Sequence, residues 1–92
     1  MPKKGIDFES KKLFYSALIK LSDDEFIDFF ESLLSSSEIK DISRRLMAAK
    51  LLQEKLIYED VQELLGMGSN TVNKIHFKTK GSPIIRKLFQ KD

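Results

Sequence analysis

The sequence predicts an all-α protein of about six short helices, two of which form a helix-turn-helix. Apolar residues recur three and four positions apart along most of the 92-residue chain, which is the spacing of an amphipathic helix. Breaks rich in Ser or Gly separate these segments, and none of the segments has the pattern of a β-strand. A chain of this length forms one small domain, for which association with a second copy often adds stability.

The first part of the chain, residues 7–57, is predicted to supply dimerisation helices after a disordered start at residues 1–5. The first of these helices covers about residues 7–20. The sequence Ser22-Asp23-Asp24-Glu25 has the spacing of a capping box, and its acids suit the first turn of a helix. It therefore predicts the start of a second helix, which carries a wide and bulky apolar face.

Two further helices are predicted from their start signals. The longest helix, about residues 38–55, follows a second Ser-x-x-Glu sequence, and its Ala48–Ala49 pair leaves room for close approach of another helix. The last helix, within residues 82–90, has Ser82 as N-cap and Pro83 at its first helical position. Four apolar residues of this last helix are expected to be buried: Ile84, Ile85, Leu88 and Phe89.

Large apolar side chains are numerous for so short a chain. Two apolar faces together exceed what one small core should need. The sequence therefore predicts an extensive homodimer interface, with a close-packed monomer as the alternative. These faces consist of Phe26, Phe29, Phe30 and Leu33 on the second helix and of Ile39, Ile42 and Leu46 on the third.

Residues 58–78 form the predicted helix-turn-helix. Gly66 is the predicted turn, and Gly66 and Gly68 are expected to supply backbone freedom, including positive φ. Met67 lies between the two helices, where its side chain can fill the angle between them. The apolar stripes consist of Val61, Leu64 and Leu65 on the first helix and of Val72 and Ile75 on the second. An ordinary αα-hairpin with a glycine turn is the alternative interpretation.

The charge distribution favours binding to double-stranded DNA. Residues 1–43 hold six Lys and nine Asp or Glu, whereas residues 44–92 hold ten Lys or Arg and five acids. From Leu64 to Lys91 there are six cations and no acid. Attraction to phosphate is therefore concentrated at the end of the chain that carries the second helix of the pair.

Position and chemistry select the candidate DNA contacts. The first residues of the second helix in a helix-turn-helix reach base edges, and an Asn amide can pair with adenine, so a site containing A·T pairs is expected. The predicted base-reading residues are Ser69, Asn70 and Asn73. The predicted phosphate contacts are Gln62, Thr71, Lys74, Lys78 and Lys80. His76 is expected to be a half-buried packing residue.

Other classes of function find little support in the sequence. There is no Cys, and a lone His without neighbouring carboxylates cannot form a metal site, so no metal or other cofactor is expected. No nucleophile–base pair is recognisable, so an enzyme is not expected. No apolar run approaches the length of a membrane span and no signal peptide is recognisable, which predicts a soluble, cytoplasmic protein.

Two sequence motifs carry a resemblance to a known family. They are R-R-L-x-x-A-K-L-L at residues 44–52 and L-L-G-x-G-x-x-T-V at residues 64–72. From about Asp24 to Phe89 the chain resembles the Trp repressor family, in particular its YerC/YecD-like branch. This resemblance implies an intertwined dimer that regulates transcription, with repressor-like action, and whose two reading heads enter successive major grooves.

The same resemblance implies an effector pocket but disfavours tryptophan as its ligand. In the Trp repressor two arginines hold the indole of the corepressor, and they correspond to Arg44 and Lys74 here. Lys74 keeps the charge but lacks the flat guanidinium group. Ile75 corresponds to a glycine and is expected to project into the same space. Arg44 is more simply explained by a surface ion pair or a phosphate contact, and whether a small-molecule effector exists stays open.

Two other functions remain open at this point. A helical protein–protein adaptor would use the Phe-rich N-terminal half and would need no basic reading face. A monomeric DNA-binding module of the replication-initiator type would keep the reading face but not the dimer.

Overall fold

The computed structural model describes residues 3–90, and within them it contains six α-helices, one short 3₁₀ turn and no strand. The predicted all-α fold is confirmed. The chain divides into two compact units between Ser36 and Ser37. Of the predicted disordered start, residues 1 and 2 lie outside the described range, and Lys4 and Gly5 form a turn. No helix in the described range is both long and apolar enough to cross a lipid bilayer.

The first unit contains helix α1, Ile6–Lys20, the 3₁₀ turn Asp23–Glu25, and helix α2, Phe26–Leu33. Its predicted capping box is confirmed. The backbone N–H of Ser22 donates to Oε1 of Glu25 at 2.9 Å, and the Ser22 hydroxyl lies 2.6 Å from Oδ1 of Asp24. The hydroxyl lowers the pKa of Asp24, and the backbone N–H lowers the pKa of Glu25, because each hydrogen bond favours the charged carboxylate.

The first unit has aromatic contacts but no buried side chain among its described residues. The rings of Phe14 and Phe29 stack with centroids 6.4 Å apart, and Phe29 meets Phe30 edge to face at 5.3 Å. Ile19 and Ile27 nevertheless remain 84% and 70% exposed. The apolar side chains of this unit therefore stay largely accessible to solvent in a single chain.

The second unit contains α3, Ser36–Gln53, α4, Tyr58–Leu65, α5, Ser69–Thr79, and α6, Pro83–Phe89. Its core is small. Ala48 and Ala49 are buried in the same cluster as Val61 of α4 and Val72 of α5. The buried core consists of Ala48, Ala49, Val61, Val72 and Ile75.

Helix α6 begins as predicted. The Ser82 hydroxyl accepts a hydrogen bond from the backbone N–H of Ile85 at 3.3 Å, and Pro83 follows at the first helical position. Ile85 packs against the core together with Phe89. The expected burial of Ile84 and Leu88 is wrong for the single chain, since these side chains are 67% and 62% exposed. A helix of seven residues meets the core along one stripe only, and these two residues lie about a quarter turn away from that stripe.

Helix α3 begins and ends about two residues earlier than predicted, and its end depends on an unusual residue. Lys55 has φ 72°, in the left-handed region that glycine normally occupies. The N–H of Leu56 donates to the carbonyl of Leu51 at 3.1 Å, which closes a Schellman motif. Leu56 then packs against the core, so the chain turns toward α4 at this point.

Candidate nucleic-acid interface

Helices α4 and α5 form the predicted helix-turn-helix, with Gly66 at the turn. Gly66 has φ 64° and ψ 36°, and its N–H donates to the carbonyl of Gln62. The N–H of Met67 donates to the same carbonyl at 3.1 Å. The left-handed glycine thus ends α4 by a Schellman motif, as expected from its place in the sequence.

Gly68 differs from the expectation. Its φ of −76° and ψ of 162° are those of extended backbone, so the expectation of positive φ is wrong for this residue. Gly68 is the N-cap of α5, and its carbonyl accepts from the N–H of Val72 at 3.2 Å. No side chain in the described residues caps this helix, so the amide of Asn70 is not occupied as a cap.

Packing against the core fixes the rotation of α5. Val72 is fully buried and Ile75 is only 4% exposed, and Met67 packs against the same cluster, where it was predicted to lie. Residues on the opposite side of the helix therefore face solvent. Four of them are exposed and lie close together on the helix surface, and we call them the outer face of α5: Asn70, Asn73, Lys74 and Phe77.

The predicted base-reading residues fall on or beside this outer face. Ser69, the first residue of α5, is exposed. Asn70 and Asn73 are exposed one turn apart, opposite Val72 and Ile75. The structure therefore brings the three predicted base-reading residues together at the N-terminal half of α5.

The predicted phosphate contacts are distributed around the outer face. Lys74 lies on it, whereas Lys78 and the C-terminal cap residue Lys80 are exposed on either side of it. Gln62, in the second half of α4, and Thr71, in the first turn of α5, are half-buried. These five side chains therefore lie around the reading residues rather than in one cluster.

Phe77 is a candidate contact that the sequence interpretation missed. It is 62% exposed and lies two turns beyond Asn70 on the same line of the helix. The ammonium of Lys80 sits 4.4 Å from its ring centroid, a cation–π contact. An aromatic residue outside both apolar stripes of a helix-turn-helix was the signal that could have identified it.

Tyr58 is the second functional candidate that the sequence did not reveal. Its hydroxyl lies 3.3 Å from Oδ1 of Asn73 and is hydrogen-bonded to Nδ1 of His76. The rings of Tyr58 and His76 meet edge to face, with centroids 5.4 Å apart and planes at 90°. His76 is half-buried, as predicted. The first residue of α4 is thereby connected to the face of α5 that carries a predicted base-reading residue.

A concave surface beside the turn encloses a volume of about 330 Å³. Of Arg44 and Lys74, the two residues of the candidate effector pocket, only one lines it. Arg44 lines it, but Lys74 does not, and lies on the outer face of α5 instead. Ile75 does not line it either, because its side chain is buried in the core. The lining residues are Asp41, Arg44, Arg45, Gly66, Met67, Gly68 and Thr71. Within one chain, Arg44 and Lys74 are therefore not brought together around this space.

Comparison with known proteins identifies a family. The sequence model of the family described as Trp repressor protein matches residues 9–83, a range that includes α4, the turn and α5. A search of curated proteins returned no match, and neither did a search of solved structures.

The two glycines of the turn should respond differently to the same substitution. Gly66→Ala should lower the free energy of unfolding by about 1 kcal/mol, because an L-residue is strained in the left-handed region. Gly68→Ala should change it by less than about 0.5 kcal/mol, since the entropy lost by the unfolded chain offsets a poorer N-cap. A Cβ at either position meets no described atom within 4 Å. Urea unfolding at one protein concentration measures both, and equal effects would contradict the assigned turn geometry.

Proposed function

Because the chain belongs to the Trp repressor family, we propose that it is a sequence-specific transcriptional regulator that places α5 in the major groove of double-stranded DNA. Membership of a family of helix-turn-helix regulators supports DNA binding in general. The proposal adds two more specific statements, that the protein reads a particular base sequence and that its action is repressor-like. The observation that carries it is the outer face of α5, where two Asn side chains and a Lys stand exposed opposite a buried apolar stripe.

The chemistry of this face fits the major groove. Asn70 lies in the first turn of α5, where a reading helix approaches base edges, and an Asn amide can donate and accept at once. Asn73 follows one turn later, and Ser69 precedes both. We assign base reading to these three residues. The exposed ring of Phe77, further along the same line, suits an apolar contact with a thymine methyl group.

The charges around this face suit the DNA backbone. Lys74, Lys78 and Lys80 are exposed and are assigned to phosphates, with Gln62 and Thr71 as polar contacts at the edge. No acid occurs from Leu64 to Lys91, whereas α4 carries Glu59, Asp60 and Glu63. In this proposal the acids of α4 mark the limit of the footprint, because like charge would repel phosphate there.

The proposal includes a homodimer. The first unit contains no buried side chain among its described residues, yet it carries exposed aromatic and aliphatic groups such as Phe8, at 73%, and Ile19, at 84%. In the second unit Ile42 and Leu46 of α3 are also about half exposed. Apolar surface on this scale favours association, and a second copy would present a second α5 to the same DNA. A regulator of this kind works where DNA is held, which we propose is the cytoplasm, and needs no catalytic activity.

A protein–protein adaptor is the second candidate function, and the same exposed side chains favour it. An adaptor would use the apolar surface of α1 and α2 to bind another protein and would leave α5 without a nucleic-acid partner. The salt dependence of the affinity for duplex DNA distinguishes the two functions, because contacts with phosphates release counterions when they form and an adaptor makes no such contacts.

Substitutions on α5 should separate specificity from affinity. On a duplex selected from a random pool, Asn70→Ala or Asn73→Ala should cost about 1–3 kcal/mol of binding free energy, with a much smaller loss on unrelated duplexes. Lys78→Ala or Lys80→Ala should weaken binding to all duplexes alike and flatten the salt slope by about one unit. The measurement is a fluorescence-anisotropy titration at several salt concentrations, after circular dichroism has shown each variant to be folded.

Lys12→Ala, on α1, is the matched control and should leave both the affinity and the salt slope unchanged. If the Asn variants bind like the parent, the reading face is misassigned. If the parent shows no salt-dependent binding to duplex DNA, the adaptor replaces the regulator.

The oligomeric state provides an independent check. Sedimentation at micromolar concentration should give twice the chain mass of 10.6 kDa. Ile27→Asp should weaken the association at least about tenfold, because an unpaired carboxylate would be buried in the interface. Asp28→Ala, next to it on the polar side of α2, should have little effect. A parent protein that sediments at 10.6 kDa would rule out the dimer.

Tryptophan should not act as the effector. Lys74 does not line the concave surface beside Arg44 and lacks a guanidinium plane on which an indole could stack. Titration calorimetry should therefore show no saturable binding of free tryptophan, and operator affinity should be the same with and without it. Saturable binding together with tighter operator binding would overturn this expectation, and screening other small molecules by the same two measurements would reveal any different effector.

A further inference from the structure

We propose that Tyr58 is a positioning residue for base reading. Its hydroxyl holds the amide of Asn73 so that the NH₂ group faces the DNA and selects a base with a carbonyl acceptor, guanine or thymine. This inference rests on the proposed function and refines it, because the two asparagines of the outer face then read different bases.

The geometry places one hydroxyl between two side chains of α5. The Tyr58 hydroxyl lies 3.3 Å from Oδ1 of Asn73 and is hydrogen-bonded to Nδ1 of His76. The edge-to-face packing of the Tyr58 and His76 rings fixes where that hydroxyl lies. Asn73 and His76 are one turn apart on α5, so a single group on α4 reaches both.

The donors and acceptors determine the direction of these bonds. A tyrosine hydroxyl has a single proton, and the carbonyl oxygen Oδ1 can only accept. The hydroxyl therefore donates to Asn73, and the proposed arrangement requires the His76 tautomer whose Nδ1 donates to the Tyr58 oxygen. The bonds run from His76 to Tyr58 to Asn73, and each strengthens the next.

This direction determines what Asn73 offers to DNA. With Oδ1 turned toward Tyr58, the outward group is the NH₂, which can only donate. In the major groove guanine presents O6 and N7 as acceptors, and thymine presents O4. Pairing with adenine through both N6 and N7 needs the amide oxygen to face the base as well, and the hydrogen bond with Tyr58 turns that oxygen away from the DNA.

Asn70 provides the contrast within the same helix. Its side chain makes no hydrogen bond with the described residues and is exposed. It can therefore present both amide oxygen and NH₂ to adenine. The selected site should contain an adenine read by Asn70 and a guanine or thymine read by Asn73.

The test compares the duplexes that the full-length parent and its variants select from a random pool. The position whose preference disappears with Asn73→Ala is the one that Asn73 reads, and in the parent it should be guanine or thymine. Tyr58→Phe should reduce the discrimination at that position by about three- to tenfold and admit adenine, because the amide can then rotate and turn its oxygen toward the base. Affinity for random duplex should stay that of the parent, which a merely structural role of the hydroxyl would not produce.

Two further variants make the test specific. Tyr15→Phe removes the same hydroxyl from α1 and should change nothing. Asn73→Asp keeps an oxygen for Tyr58 but presents an acceptor outward, so the preferred base should change to cytosine, which offers a donor. In an Asn73→Ala background, Tyr58→Phe should have no further effect on specificity, because the hydroxyl acts through Asn73.

The outcomes distinguish this inference from the proposed function. Suppose that the parent selects a site and that Asn73→Ala abolishes the base preference at one position of it. If Tyr58→Phe leaves the base preference at that position unchanged, the positioning role is overturned and the proposed regulator stands. An equal loss on all duplexes in Tyr58→Phe, or an unchanged base preference in Asn73→Asp, overturns it as well. A parent that selects no sequence removes both the inference and the proposed function.

Discussion

The orientation of α5 depends on the burial of Val72 and Ile75 against Ala48, Ala49 and Val61. A helix of eleven residues has little stability of its own, so this contact supplies both its helical state and its rotation. Once these two side chains are fixed, the 3.6-residue period determines where every other side chain of α5 points. The exposure of Asn70 and Phe77 is a consequence of that packing.

Features whose signals lie within a few residues could be predicted from the sequence. The capping box at Ser22 and the left-handed turn at Gly66 depend on local hydrogen bonds, and both were found where the sequence placed them. The end of α3 could not be predicted in the same way. Nothing about a lysine indicates a left-handed residue, and Lys55 adopts that conformation because Leu56 packs on the core and its N–H reaches Leu51. Tertiary packing, not local preference, determines this boundary.

The same distinction between local signals and tertiary packing applies to the candidate site. Asn70 and Asn73 could be placed on an exposed face because their distance from Val72 and Ile75 is a matter of helical period. The contact between Tyr58 and Asn73 joins residues fifteen positions apart and depends on the angle between α4 and α5, which a sequence pattern does not specify. The exposure of Ile84 and Leu88 was missed for a related reason, since an apolar residue on a short helix indicates an apolar neighbour without saying whether the same chain supplies it.

The change of charge at the turn adds a constraint that packing alone does not provide. Helix α4 carries Glu59, Asp60 and Glu63 and no cation, whereas α5 carries Lys74 and Lys78 and no acid. Acids in the first turn stabilise α4 through its helix dipole, so their presence there has a structural reason of its own. Beside a polyanion they also have a directional effect, because a duplex is repelled from one helix of the pair and attracted to the other. Packing thus determines which side chains of α5 face outward, and the charges determine which helix of the pair can approach a phosphate backbone.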